Sequence, residues 1–464
     1  MARRRYKKNS SGMGKVIGVL LLLGLIGGGA YVYTSPEFEQ VKPTISGANN
    51  IYWNLKSPIK LTFSDNEALK SYEVVMSDGI NSIVIGRGQF APNTKTQTLQ
   101  ITYPKTKILD KKSPNLTIIA KVTDASKWNM FNGNSTTKQF KINVDYKRPN
   151  VNILANSRSI NQGGSALVVF QASDDNLKDL YILANNHKFK PSPYKSEGYY
   201  ASLIAWPFVE NSFDAKIVAT DKAGNRRETH IPLYHHNPKY RTSYIKASDK
   251  FIDGKITDLA SSNPDYANID DRLKRLKAIN EIMRKKNEDL IHKLSSKVSD
   301  DMIISWDIKK FHPLKNAKKV ASFGAHRYYY YGSKDNVVSE SYHLGYDLAS
   351  TKMASIVASN PGKVVYADEN GIYGNMPLID HGLGLYTLYG HCSELFVKEG
   401  DEVNRGQVIA KTGMTGLALG DHLHFGILVQ GIEVRPKEWF DQHWIDTFIT
   451  SIFKEADNII DDKK

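Results

Sequence analysis

The chain has 464 residues, a formal net charge of +14, and 41% hydrophobic residues, which predicts several domains with real cores and excludes a globally disordered chain. Its one cysteine, Cys392, excludes an intrachain disulfide framework without fixing the compartment. Basic and acidic residues alternate along most of the chain, and no basic stripe interleaved with aromatics points to nucleic acid.

The N-terminus reads as a membrane signal. MARRRYKKNSSGMGK carries six basic residues and no acid, and residues 16–33, VIGVLLLLGLIGGGAYVY, carry no charge. That stretch is close to the ~20 residues needed to cross a hydrocarbon core of ~30 Å. Tyr31 and Tyr33 sit where an interfacial aromatic belt lies, and Gly28 and Ala30 only weakly fit a cleavage site. We expect a basic cytoplasmic tail over 1–15, an uncleaved transmembrane helix over 16–34, and the rest of the chain outside the membrane.

Residues 40–236 predict two β-sandwiches, over 40–146 and 147–236. Short runs rich in Val, Ile, Tyr and Phe alternate with Asn, Asp, Gly, Ser and Pro. The halves echo each other: SDNEALKSY from Ser64 and SDDNLKDLY from Ser173, then AKVTDASKWN from Ala120 and AKIVATDKAGN from Ala215. The segment TDKAGN resembles the end of many bacterial immunoglobulin-like domains. YKRPNV, at 146–151, marks the junction, with Pro149 favouring an extended link. Asp65, Asp174 and Asp175 are turn-closing residues in this reading, with calcium binding as the alternative.

Residues 249–300 predict a helical linker or regulatory segment. Leu273, Leu276, Met283, Leu290 and Leu294 recur at helical spacing, and Ile279, Ile282 and Ile291 widen the stripe. A stripe of this kind packs on its own protein, pairs as a coiled coil, or forms a lid over the domain C-terminal to it. Asn280 and Asn287 at seam positions argue against a long coiled coil. Residues 305–440 return to short strands with Gly-rich turns, which predicts a compact, mostly antiparallel β-domain. The remainder, 441–464, predicts a helix. The fold class expected is multidomain and mainly β.

The chemistry lies in that β-domain. SYHLGYDLAS gives His343 and Asp347, LYGHCSEL gives His391, and GDHLHFGI gives His422 and His424. A catalytic zinc site takes about three N or O ligands and leaves one position open. Side chains alternate along a strand, so His-x-His puts both imidazoles on one face, with Leu423 and Phe425 on the other. Spacing alone lets both histidines hold the metal. Cys392 also follows His391 directly, but adjacent strand residues face opposite ways, which argues against a cysteine nucleophile.

These segments, in order, resemble the M23 zinc metallopeptidases, the lysostaphin-type or LytM-like peptidoglycan endopeptidases. FHPL at 311–314, SFGAHR at 322–327, HLGYDLA, GKVVYADENGIYGNMPLIDHGLGLYTLYGH, VKEGDEVNRGQVIAKTGMTG and DHLHFGI carry the resemblance. It implies that His343, Asp347 and His424 bind Zn²⁺, that His391 and His422 serve the reaction, and that the substrate is the peptide part of peptidoglycan, at its cross-links. The family often has Phe-Glu after His-x-His; here it is Phe425-Gly426. The tyrosine run Tyr328–Tyr331 is unusual and either lines the cleft or packs a strand. The expected protein is anchored in the cytoplasmic membrane with its catalytic domain facing the periplasm or cell wall. Its partners are the membrane, peptidoglycan, and other envelope proteins or a second copy. The alternative is a non-catalytic LytM-like regulator of other wall hydrolases, or an envelope scaffold.

Overall fold

The computed structural model describes residues 12–462; residues 1–11 of the basic tail and the last two of the C-terminal helical stretch lie outside the described residues. The molecule is mainly β, with one apolar N-terminal helix, Gly12–Thr34. Met13–Thr34 has the length and composition needed to cross a membrane.

Two compact units form. One runs to Lys147 and includes Lys222–Asn225; the other holds Arg148–Asp221 and the chain from Arg226. The first carries a sandwich. Its five-stranded sheet runs Asn50–Trp53, Ser135–Val144, Thr117–Asp124, Leu69–Ser77, Ser82–Gln89, and its three-stranded sheet runs Thr44–Ser46, Ile59–Ser64, Thr96–Ile101. Alternate residues Leu61, Phe63, Val74, Met76, Ile118 and Phe140 point between the sheets and are buried. Asp65 closes a turn, its Oδ2 accepting from the amides of Glu67 at 3.0 Å and Ala68 at 2.9 Å. Asp65 also gathers with Glu39 and Asp124, donor atoms within 4.8 Å of one another.

In the second unit a sandwich of two four-stranded sheets spans residues 150–230. Its strand Ser165–Ser173 begins SALVVF, six residues buried in succession rather than alternately. That pattern means cover on both faces. The outer cover is the C-terminal helix Ser451–Asp461, where Tyr194 Oη donates to Asp457 Oδ1 at 2.7 Å. One apolar core therefore runs from Val151 through Phe170 and Trp206 to Phe425, Trp439 and Ile460.

The striped segment packs on its own protein. Asp271 caps it through the amides of Leu273 and Lys274, both at 2.9 Å. Helix Arg272–Lys277, a π turn Ala278–Met283 and helix Arg284–Ser295 continue without a break. Leu276, Ile279, Met283 and Ile291 bury against Tyr373, Met376, Leu378 and Leu388. Ile282 departs from the expected stripe and is exposed, because the extra residue of the π turn rotates the helix face past it.

The sheet beneath is built from Lys318–Ala321, Tyr346–Ala349, Leu423–Val429, Leu385–Gly390, Asn375–Asp380, Gly362–Glu369 and Glu402–Val403 in that order. A second sheet places Thr242–Lys246 parallel to Ala325–Tyr330, which pairs antiparallel with Val337–His343. Its tyrosines divide. Tyr328 stacks on Tyr244 with ring centroids 5.3 Å apart, and Tyr331 Oη donates to Asp249 at 2.9 Å. Of the four, only Tyr329 lines the cleft that opens onto His343, Asp347 and His424.

Candidate metal centre

Register brings these three residues together. Asp347 on Tyr346–Ala349 lies directly opposite His424 on Leu423–Val429, and His343 ends the strand Val337–His343 four residues before Asp347. His343 Nε2 is 2.8 Å from Asp347 Oδ1 and 3.1 Å from His424 Nδ1, and His424 Nδ1 is 3.0 Å from Asp347 Oδ1. All three side chains are buried. A Cβ at Gly345 would lie 2.6 Å from Phe425 O and 2.8 Å from His424 Nε2, so only glycine permits this close approach.

Neighbours fix the orientation of each donor. His343 Nδ1 donates to Ser322 O at 2.9 Å, which leaves its Nε2 lone pair facing the centre. Arg327 Nη2 donates to Asp347 Oδ2 at 3.1 Å, which turns Oδ1 inward. Burial lowers the His343 imidazole and pushes that of His424 down to about 4. Burial alone would raise Asp347, but the imidazoles of His343, His422 and His424 hold its carboxyl well below the usual range. Two neutral imidazoles and an ionised carboxylate thus converge on one point. Their 2.8–3.1 Å spacings are close to the edge of about 3.3 Å in a tetrahedron with metal–donor bonds of 2.0–2.1 Å. The donor set fits zinc.

The other two histidines stand beside this point. His391 and His422 have ring centroids 4.8 Å apart. His391 Nδ1 donates to Thr415 O at 2.9 Å and His422 Nδ1 to Gly420 O at 2.7 Å, so each turns Nε2 away from the backbone. His422 Nε2 is 3.6 Å from Asp347 Oδ1. Burial works against protonated His422, yet the Asp347 carboxylate raises it above the ordinary value. Burial first, then His422 and His424, holds His391 well below.

His391 lies past the end of Leu385–Gly390 with φ +67°. That left-handed turn, rather than strand alternation, parts it from Cys392. The Cys392 thiol is buried, donates to Tyr389 O at 3.3 Å, and is pushed up to about 12 by burial. A thiol held protonated in this way is no nucleophile.

A cleft of about 340 Å³ opens onto all five residues. Sequence reasoning missed three of its features. Arg327 was visible only as part of SFGAHR. Tyr373, whose ring packs edge-on to His424 at 5.4 Å and whose carbonyl accepts the His391 amide at 2.7 Å, gave no signal in its local sequence. Nor did Arg284, which reaches the cleft from the helical segment.

Residues 341–436 match the family model described as Peptidase family M23, and the C-terminal part of the chain carries a Peptidase M23 domain. Among curated proteins, DD-carboxypeptidase/endopeptidase Mpg of Neisseria meningitidis serogroup B is 37% identical over 94 residues, 20% of this chain and 22% of that protein. Murein hydrolase activator NlpD of Salmonella dublin is 39% identical over 106 residues, 22% of this chain and 28% of that protein. The chain therefore matches less than a third of the length of either relative. A solved zinc-containing peptidase from Vibrio cholerae is 14% identical, with a TM-score of 0.26, covering 70% of this chain and 82% of that one.

Proposed function

We propose that the chain is a zinc-dependent endopeptidase that hydrolyses peptide bonds of peptidoglycan, at its cross-links, in wall growth and remodelling. The observation that carries this reading is the convergence of His343, Asp347 and His424 within 3.1 Å of one another at the floor of an open cleft. A scaffold has no need of two imidazoles and a carboxylate buried together with one nitrogen or oxygen of each turned to a common point.

His343 through Nε2, Asp347 through Oδ1 and His424 through Nδ1 hold the metal. Bound zinc supplies Lewis-acid chemistry, acidifying a water toward a pKa of ~7 and polarising the scissile carbonyl. The chain's own residues do the rest. His391 and His422 present Nε2 atoms that take the proton of the attacking water and return one to the leaving amine. Arg327 and Ser322 O keep the donors aimed. The apolar helix Gly12–Thr34 anchors the chain in the cytoplasmic membrane, with the cleft on the side of the wall.

A second reading has an observation behind it: one of the similar proteins is named an activator of murein hydrolases. Zinc content and turnover separate the two. His424→Ala should lose the metal by elemental analysis. His422→Ala should keep it and lose about 100-fold or more in turnover. A wild-type chain that binds one zinc yet leaves peptidoglycan uncut would support the activator reading.

A further inference from the structure

The cleft has two kinds of wall. One comes from the M23 domain, the other from residues well before 341: Arg241, Ser243 and Ile245 on or beside the strand Thr242–Lys246, Phe251, and Arg284 at the start of helix Arg284–Ser295. Among its lining residues are three arginines, Arg241, Arg284 and Arg327, and one carboxylate, Asp347. Arg327 is committed to Asp347. Among the described residues neither of the other two donates a hydrogen bond to a carboxylate; Arg284 faces Glu288 as an ion pair at 4.0 Å, and Arg241 has no ion pair.

Arg284 is held in position. Its Nε donates to Asn280 O and its Nη2 to Asn280 Oδ1, both at 2.9 Å. Asn280 is fully buried and fastens in turn to Ser339 Oγ at 2.9 Å. Two of five guanidinium N–H groups are spent this way, and three remain. The carboxylate oxygen beside it, Glu288 Oε1, is 4.0 Å from Nη1, beyond hydrogen-bond reach. Asn280 already ties the helix to the strand, so holding the helix does not require the guanidinium. A fork fixed before binding loses little entropy when it takes a planar anion. Arg241 is exposed at the same cleft, and no ion pair engages it among the described residues.

We propose that Arg284, with Arg241, forms a carboxylate subsite, so that the peptide taken by this cleft carries a free carboxylate near its scissile bond. This rests on the endopeptidase reading and names its substrate class. The probe is the cross-linked stem-peptide dimer released from purified peptidoglycan, native or with its free carboxyls converted to amides. Binding is measured by calorimetry to the full-length zinc-loaded chain carrying His391→Ala, which leaves the peptide intact. The amidated dimer should bind about 10- to 100-fold more weakly. Arg284→Gln should bring the native dimer to that level and leave the amidated dimer unchanged, Arg284→Lys should recover part of the loss, and Arg241→Gln should act in the same direction. Equal affinity for the two dimers, no binding of either, or an Arg284→Gln chain that loses both alike overturns the subsite. Selective binding of the native dimer without hydrolysis by the wild-type chain overturns the endopeptidase reading and leaves the subsite standing.

Discussion

Glu438 offers a quantitative test of how the second sandwich and the M23 domain share one core. It lies in the short helix Pro436–Trp439 and is 5% exposed. Its Oε1 accepts from Asn161 Nδ2 at 2.8 Å and its Oε2 from the Ser165 amide at 3.3 Å, both donors on the sandwich. A Cβ at Gly164 would come within 2.6 Å of Oε1, which keeps that position glycine. Burial, against the pull of Arg435, raises the carboxyl from 4.5 to about 7. Between those values the folded chain keeps a proton that the unfolded chain has released. Stability is therefore full below about pH 4.5 and falls as pH rises through about 7. The gap of about 2.5 (7 less 4.5) corresponds to roughly 3 kcal/mol. Glu438→Gln stays neutral throughout and loses one acceptor, which costs about 1 kcal/mol. The variant should be less stable than wild type by about 1 kcal/mol near pH 4, about equally stable near pH 5, and more stable by about 2 kcal/mol near pH 8.5. Urea midpoints of the two full-length proteins across that range, followed by tryptophan fluorescence, measure the difference and cancel titrations common to both. Parallel curves would refute a proton held at Glu438.

Three further outcomes concern the site and its supports. Arg327→Gln removes the donor that turns Asp347 inward and should weaken zinc binding about 10- to 100-fold in a chelator competition. Asn287→Ala strips the Oδ1 that accepts the buried Ile372 amide at 3.0 Å. It should cost about 1–3 kcal/mol in denaturant unfolding. Wild-type stability would show that the helix does not hold the loop carrying Tyr373. Cys392 should resist thiol reagents in the native chain and react once it is unfolded, and Cys392→Ser should leave turnover close to wild type; rapid native labelling would contradict its burial.

The histidine pair was legible because strand alternation is a local rule: His422 and His424 face the centre while Leu423 and Phe425 are fully buried on the other side. Spacing alone let both bind metal; only the resemblance assigns them different roles, which the His424→Ala and His422→Ala chains test. The helical stripe was legible as amphipathic, but its π turn was not, so an ideal helical period puts Ile282 on the wrong face. Asn280 and Asn287 read as blemishes in a coiled-coil seam. They are anchors, Asn280 to the strand at Ser339 and Asn287 to the loop at Ile372. Nothing in their neighbourhood shows this, because the partners lie 59 and 85 residues away in Ser339 and Ile372. The joining of the second sandwich to the C-terminal helix was hidden for the same reason. The signal was present only in SALVVF, where six apolar or small residues succeed one another without the polar alternation of a half-exposed strand.

If the three donors hold a zinc that cuts peptidoglycan, cleavage must follow the metal. Digestion of purified peptidoglycan by the full-length chain, without chelator, with chelator, and after zinc is restored, tests it in one experiment, with products read by mass spectrometry. New peptide termini should appear, disappear with the chelator and return with zinc. Cleavage that ignores the chelator, or a zinc-loaded chain that releases no new termini, would contradict it.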